Sequence, residues 1–131
     1  MRTAKRTGIF CAFMLFTNLI FAQSQISEPA QDAKAPFRLF RTTNIWTFIQ
    51  LDTTTGQMWQ IQFDTKGIER GAMVLNLENL AEGKQKVTGR FTLYPTSNMY
   101  TFILLDQIDE PTWQVQWAVD VKNRLVLPIS E

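Results

Sequence analysis

Residues 37 to 64 read FRLFRTTNIWTFIQLDTTTGQMWQIQFD, and residues 91 to 118 read FTLYPTSNMYTFILLDQIDEPTWQVQWA. Laid over each other without a gap at an offset of 54, they agree at 12 of 28 positions. The agreements include Leu39/Leu93, Asn44/Asn98, Phe48/Phe102, Asp52/Asp106, Trp59/Trp113, Gln60/Gln114 and Gln62/Gln116. Chance pairs agree at a few per cent, so the chain carries an internal repeat, and its architecture follows from that repeat.

Within each copy the apolar residues alternate with a period of 2, the mark of half-buried strands. The first copy reads as strands over 37–41, 45–51, 58–63 and 71–75, with 125–129 the counterpart of the last in the second copy. Between the first two strands, Asn44 and Asn98 are turn residues, because asparagine tolerates a left-handed backbone. Asp52 and Asp106 head the following hairpin loops, where a carboxylate accepts backbone N–H groups two residues on. Gly56 supplies the positive φ at the loop exit.

A four-residue loop over 53–56 sets the register. It puts Gln50 opposite Trp59, Phe48 opposite Ile61 and Trp46 opposite Phe63. In the second copy the pairs become Leu104/Trp113, Phe102/Val115 and Tyr100/Trp117. Cross-strand aromatic pairs of this kind stabilise a sheet, so the expected core is Trp46, Phe48, Trp59, Phe63, Tyr100, Phe102, Trp113 and Trp117. The opposite face carries Gln60, Gln62, Gln114 and Gln116. These are the candidate binding residues, set against a plain reading as neutral surface filler. Ile45, Thr47, Ile49 and Leu51 share their side, so the second strand is apolar on both faces, as central strands are.

The expected fold is all-β: a pseudo-twofold tandem repeat of two four-stranded antiparallel meanders, forming a small barrel or sandwich. A nearly closed barrel is favoured narrowly, since closure removes free edges. The single β-domain spans 37–131, with repeats 37–75 and 91–129 joined by 76–90. In that linker Asn76 is placed to cap one or two helical turns that Gly83 would end.

The start of the chain reads differently. Arg2, Lys5 and Arg6 precede an uncharged apolar run over 8–21 that ends at small Ala22, the order of a secretory signal peptide over 1–22. Residues 23–36 are polar, aperiodic and proline-containing, and read as a disordered leader. Cleavage after Ala22 lowers Lys+Arg from 13 to 10 against 12 Asp+Glu, a net charge of −2. That lacks the basic excess of a nucleic-acid binder. It also leaves no membrane span, since the apolar run is shorter than the roughly 20 residues a span requires.

The chain has no histidine, and its single cysteine, Cys11, lies in the signal segment. Ser-His-Asp and Cys-His nucleophile systems are thereby excluded, as is ordinary zinc or haem ligation. No cofactor and no metal is expected. Carboxylate chemistry survives, because Asp52 and Asp106 repeat and glycoside hydrolysis uses two carboxylates. The simpler reading gives each aspartate to its own loop.

Across residues 37–129, and above all at Tyr94-Pro95-Thr96-Ser97-Asn98-Met99-Tyr100, Leu105-Asp106 and Trp113-Gln114-Val115-Gln116-Trp117, the chain resembles a group of small exported proteins of Bacteroides-type bacteria. In that group R-F-x-L-[FY]-P-T-x-N-[MI]-[WY]-x-F is followed by L-D and W-Q-V-Q. The resemblance carries over no functional residue. It implies a Gram-negative envelope, hence periplasm or outer surface. Two departures stand out: Arg41 replaces the turn proline, and Glu110-Pro111 replaces the glycine-containing loop exit, which predicts a different shape for the second hairpin loop.

The function expected from these residues is an exported, non-enzymatic β-domain that binds a protein partner, inhibitor- or immunity-like, or an accessory to a larger complex. A carboxylate-dependent glycan or peptidoglycan hydrolase and a structural envelope component are the alternatives. A glycan ligand fits the hydrolase alternative.

Overall fold

The structure is a computed structural model that describes residues 30–130. The expected signal peptide, and the leader up to residue 29, lie outside the described residues. Eight strands follow: β1 (Phe37–Arg41), β2 (Thr47–Asp52), β3 (Met58–Gln62) and β4 (Gly71–Asn76), then β5 (Phe91–Pro95), β6 (Thr101–Asp106), β7 (Thr112–Gln116) and β8 (Leu125–Ile129). They form two antiparallel meanders, β1-β2-β3-β4 and β5-β6-β7-β8. The sheets face each other as a sandwich and do not close into a barrel, so β1, β4, β5 and β8 remain edges. Pro128 sits on one of those edges, where the N–H it lacks is not needed.

The register is the one that the four-residue loop dictates. Phe48 pairs with Ile61 and Gln50 with Trp59, while Phe102 pairs with Val115 and Leu104 with Trp113. Each hairpin then extends by one bond, from the Phe63 N–H to the Trp46 carbonyl at 3.1 Å and from the Trp117 N–H to the Tyr100 carbonyl at 3.0 Å.

The turns between the first two strands of each copy are built by side chains. Asn44 Oδ1 accepts the Trp46 N–H at 2.8 Å, and Asn98 Oδ1 accepts the Tyr100 N–H at 2.9 Å. Thr42 and Thr96 accept the asparagine N–H groups and donate to the carbonyls of Thr47 and Thr101. Neither asparagine has positive φ, so these turns rest on side-chain bonding rather than on a left-handed backbone. In the linker the expected helical turns are absent. Asn76 ends β4 instead, and its amide ties the linker to the first hairpin loop by donating to the Gly56 and Glu78 carbonyls. A 3-10 turn over Val121–Asn123, capped by Asp120, was not expected.

The second hairpin loop keeps the shape of the first, against the expectation from Glu110-Pro111. Gly56 N–H donates to the Asp52 carbonyl at 2.9 Å, and Glu110 N–H donates to the Asp106 carbonyl at 3.0 Å. Four-residue closure fixes the backbone there, and Glu110 accepts the positive φ that a glycine would take without strain.

The faces that meet are not equivalent ones. Call the face bearing Phe48 in β2, and Phe102 in β6, the front of each sheet; Ile49 and Ile103 then mark the backs. The buried cluster contains Ile49, Leu51 and Met58 from the back of the first sheet. It contains Phe91, Leu93, Phe102, Leu104, Val115 and Trp117 from the front of the second. A twofold would bring front to front, whereas here back packs on front.

On these faces the two copies differ by single substitutions. The front of the first sheet has Gln50 and Arg41 where the second has Leu104 and Pro95. The back of the first has Met58 where the second has Thr112. Joining the back that holds Met58 to the front that holds Leu104 buries Ile49, Leu51 and Met58 against Phe91, Phe102 and Leu104 and leaves Gln50 and Arg41 outside, although it also encloses Thr47 and Gln60.

Candidate functional site

This packing leaves the front of the first sheet exposed. Phe37 and Leu39 are 51% and 54% accessible, and Trp46, Phe63 and Val74 are exposed beside them. Phe48, Trp59 and Ile61 are half-buried on the same face. Trp46 and Phe63 meet edge to face at 5.4 Å between centroids, and Phe48 lies 6.2 Å from Phe63. The Arg41 guanidinium stands 5.4 Å over the Phe48 ring. Exposed apolar surface of this kind makes the front of the first sheet the candidate interaction face.

Two hollows border it. One, about 440 Å³, is lined by Trp46 and Phe63 with Asn44, Gln62, Lys66 and Glu69. The other, about 490 Å³, runs between Phe37, Leu39, Arg41, Phe48 and the segment that begins at Ala30. The repeat reproduces the first hollow in miniature: about 300 Å³ lined by Tyr100, Gln116, Trp117, Asp120 and Asn123, the positions of Trp46, Gln62, Phe63, Lys66 and Glu69. Below the first hollow Asp64 accepts the N–H groups of Gly67, Ile68 and Glu69. Desolvation works to raise its pKa, but these three backbone bonds outweigh it and hold the carboxyl below its ordinary value. Asp64 is thus occupied with its own loop.

The paired aspartates part company. Asp106 is fully buried and takes the Arg90 guanidinium in a two-pronged pair, Nε at 3.0 Å and Nη2 at 2.7 Å. Its other oxygen accepts the Ile108 and Asp109 N–H groups. Asp109 also reaches Arg90, at 2.5 Å, and pairs with Lys84 at 3.0 Å. Burial pushes the Asp106 pKa up, yet the Arg90 bond, the two backbone bonds and the Arg90 charge prevail and hold it below its usual value. Asp52 stands in the same loop position with a simpler job, accepting the Thr54 N–H at 2.8 Å. Pro36 occupies the place of Arg90 in the first copy, where the two carbonyls do the same work: Pro36 accepts from Thr53 N–H and Arg90 from Gln107 N–H, both at 2.8 Å. Neither aspartate lines any of the three hollows described above.

The four glutamines do not form one surface. Gln60 is 0% accessible between the sheets, and neither atom of its amide finds a hydrogen-bond partner among the described residues. Its candidacy as a binding residue is corrected: the back of the first sheet is an inside face. Gln62 is half-buried at the edge of the first hollow. Gln114 and Gln116 lie half-buried on the back of the second sheet, where Gln116 Nε2 donates to the Asn123 carbonyl at 2.8 Å.

The expected core is corrected in the same way. Phe102 and Trp117 are buried, and Trp113 packs against them. Trp46, Phe63 and Tyr100 are exposed, and Phe48 and Trp59 belong to the outer front face. Trp59 and Trp113 are therefore equivalent in register and unlike in setting. Arg90 escaped the sequence reading because it precedes the aligned stretch. The register of Phe91 opposite Asp106 is the signal that would have found it.

No protein-family model, no curated protein and no solved structure matches the chain.

Proposed function

We propose that the protein is an exported, non-enzymatic β-domain that binds a protein partner through the front face of its first sheet. One observation carries the reading: residues whose equivalents form the core of the second sheet lie open to solvent in the first. Phe37 and Leu39, 51% and 54% accessible, match Phe91 and Leu93 residue for residue, and the latter two are buried in the core. A surface built to core specification and left exposed stabilises an association when a matching apolar surface covers it. Export rests on the sequence of residues 1–22 and supports a partner in the envelope or outside it.

The hydrolase alternative asks for a carboxylic acid held protonated beside a second carboxylate. Asp106 is held the other way, charged and locked to Arg90. Such a carboxylate organises a loop and does not donate a proton at neutral pH.

The test is capture of partners from an envelope extract by the full chain and by a Phe37→Glu, Phe63→Glu variant of unchanged fold. Loss of the captured protein with the variant supports the reading. Capture that is indifferent to both substitutions removes the front face from consideration.

A further inference from the structure

The reading of the front face as a protein-binding surface leaves its partner open, and the two outer faces of the sandwich narrow it. Inside the molecule, the back of one repeat packs on the front of the next. That joint is heterologous, since it uses two different surfaces, and a heterologous joint leaves one surface of each kind unused at the ends. Here the unused surfaces are the front of the first sheet and the back of the second.

Each unused surface is a copy of one that the joint already uses. On the fronts, Phe37, Leu39, Phe48 and Trp59 are identical to Phe91, Leu93, Phe102 and Trp113. On the backs, Thr101, Ile103, Leu105, Gln114 and Gln116 are identical to Thr47, Ile49, Leu51, Gln60 and Gln62. The outer back also exposes Tyr94, Leu127 and Ile129, which match Phe40, Met73 and Leu75 of the inner one. No strand residue on that outer back carries a charge.

Resting on the binding role of the front face, we propose that its partner is the back of the second sheet of another copy of this chain. The front-to-back stacking of the two repeats then continues from molecule to molecule as a head-to-tail assembly. Every added joint repeats the register of alternation already present inside the chain, so no new fold is required. The added joint is weaker than the internal one. Gln50 stands where the internal joint has Leu104, and Thr112 where it has Met58. Two molecules also lose translational freedom that linked repeats do not. Association is accordingly reversible and concentration-dependent.

Sedimentation of the full chain from about 1 µM to about 1 mM tests this. The wild type is expected to shift from monomer to dimer and larger species. Leu39→Glu on the front and Leu127→Glu on the back each alter a side chain more than half exposed. Each should raise the concentration of half-association at least about tenfold with little change in melting. A one-to-one mixture of the two variants is decisive, because each keeps the face that the other has lost. It should form a dimer and nothing larger. A wild type that stays monomeric throughout, two variants that assemble as the wild type does, or a mixture that remains monomeric overturns the proposal. A monomeric wild type whose front face captures a different protein, with capture abolished by Leu39→Glu, overturns the stacking and leaves the binding role in place.

Discussion

Glu110 holds the backbone of Gly56: the two stand at the same place in the two hairpin loops, with φ of 73° and 81°. A residue with a Cβ in that conformation costs about 1 kcal/mol relative to glycine. Replacing Glu110 by glycine is therefore expected to stabilise the protein by about 0.5–1 kcal/mol, after the greater freedom of glycine in the unfolded chain is discounted. Denaturant unfolding checks it, and a lowered midpoint contradicts the strain. The reverse exchange, Gly56→Glu, is expected to destabilise by more, because a Cβ there would also meet the Leu80 side chain at 3.0 Å.

Gln60 offers a second route to stability. Its amide is enclosed without a partner among the described residues, and a buried unsatisfied polar group costs about 1–3 kcal/mol. Gln60→Met keeps the length and removes the polar atoms, so thermal melting is expected to rise by several degrees. Gln114→Met, at the equivalent half-buried position, should leave melting nearly unchanged. Equal effects at the two sites would refute the inside placement of Gln60.

The contrast between those glutamines shows what alternation could and could not tell. Strand positions, register and the two-meander plan were legible, because the period of 2 and a four-residue loop leave one pairing. Which face turns inward was not. β2 has Ile49 and Leu51 on one side and Phe48 on the other, so its pattern is satisfied either way round. The copies differ on those faces by a few exchanges, Gln50 for Leu104 and Met58 for Thr112 among them. Their meaning emerges only when the two sheets compete for the same interior. The Arg90–Asp106 pair was half legible: Asp106 was placed in its loop, and its buried cation was missed.

The two loop aspartates differ in what their removal exposes. Asp52→Ala loses the bond to the Thr54 N–H, at a cost of about 0.5–1 kcal/mol. Asp106→Ala leaves Arg90 enclosed without its main counter-charge, and breaking such a pair is far more damaging than losing a loop bond. A fall in Tm on the order of 10 °C is expected for Asp106→Ala and only a few degrees for Asp52→Ala. Asp106→Ala combined with Arg90→Leu should recover part of the loss, which a double-mutant cycle measures.

Acid stability follows from the same pair. The folded-state pKa of Asp106 lies below the ordinary 3.8, since Arg90 and the loop N–H groups overcome the opposing effect of burial. Between that depressed value and 3.8 the unfolded chain binds a proton that the folded chain refuses, so stability falls as pH falls through this window. Above it the contribution is fully present. Asp109, lowered by Lys84 and Arg90, and Asp64, lowered by its backbone bonds against desolvation, act with the same sign. Melting curves from about pH 7 down to about pH 2 should therefore show a nearly flat plateau and a steep loss below about pH 4. In Asp106→Asn the plateau should drop while the acid limb becomes shallower, because the group that titrates is gone. An acid limb as steep as that of the wild type would mean that the proton is taken up elsewhere and that the Arg90 pair does not govern acid unfolding.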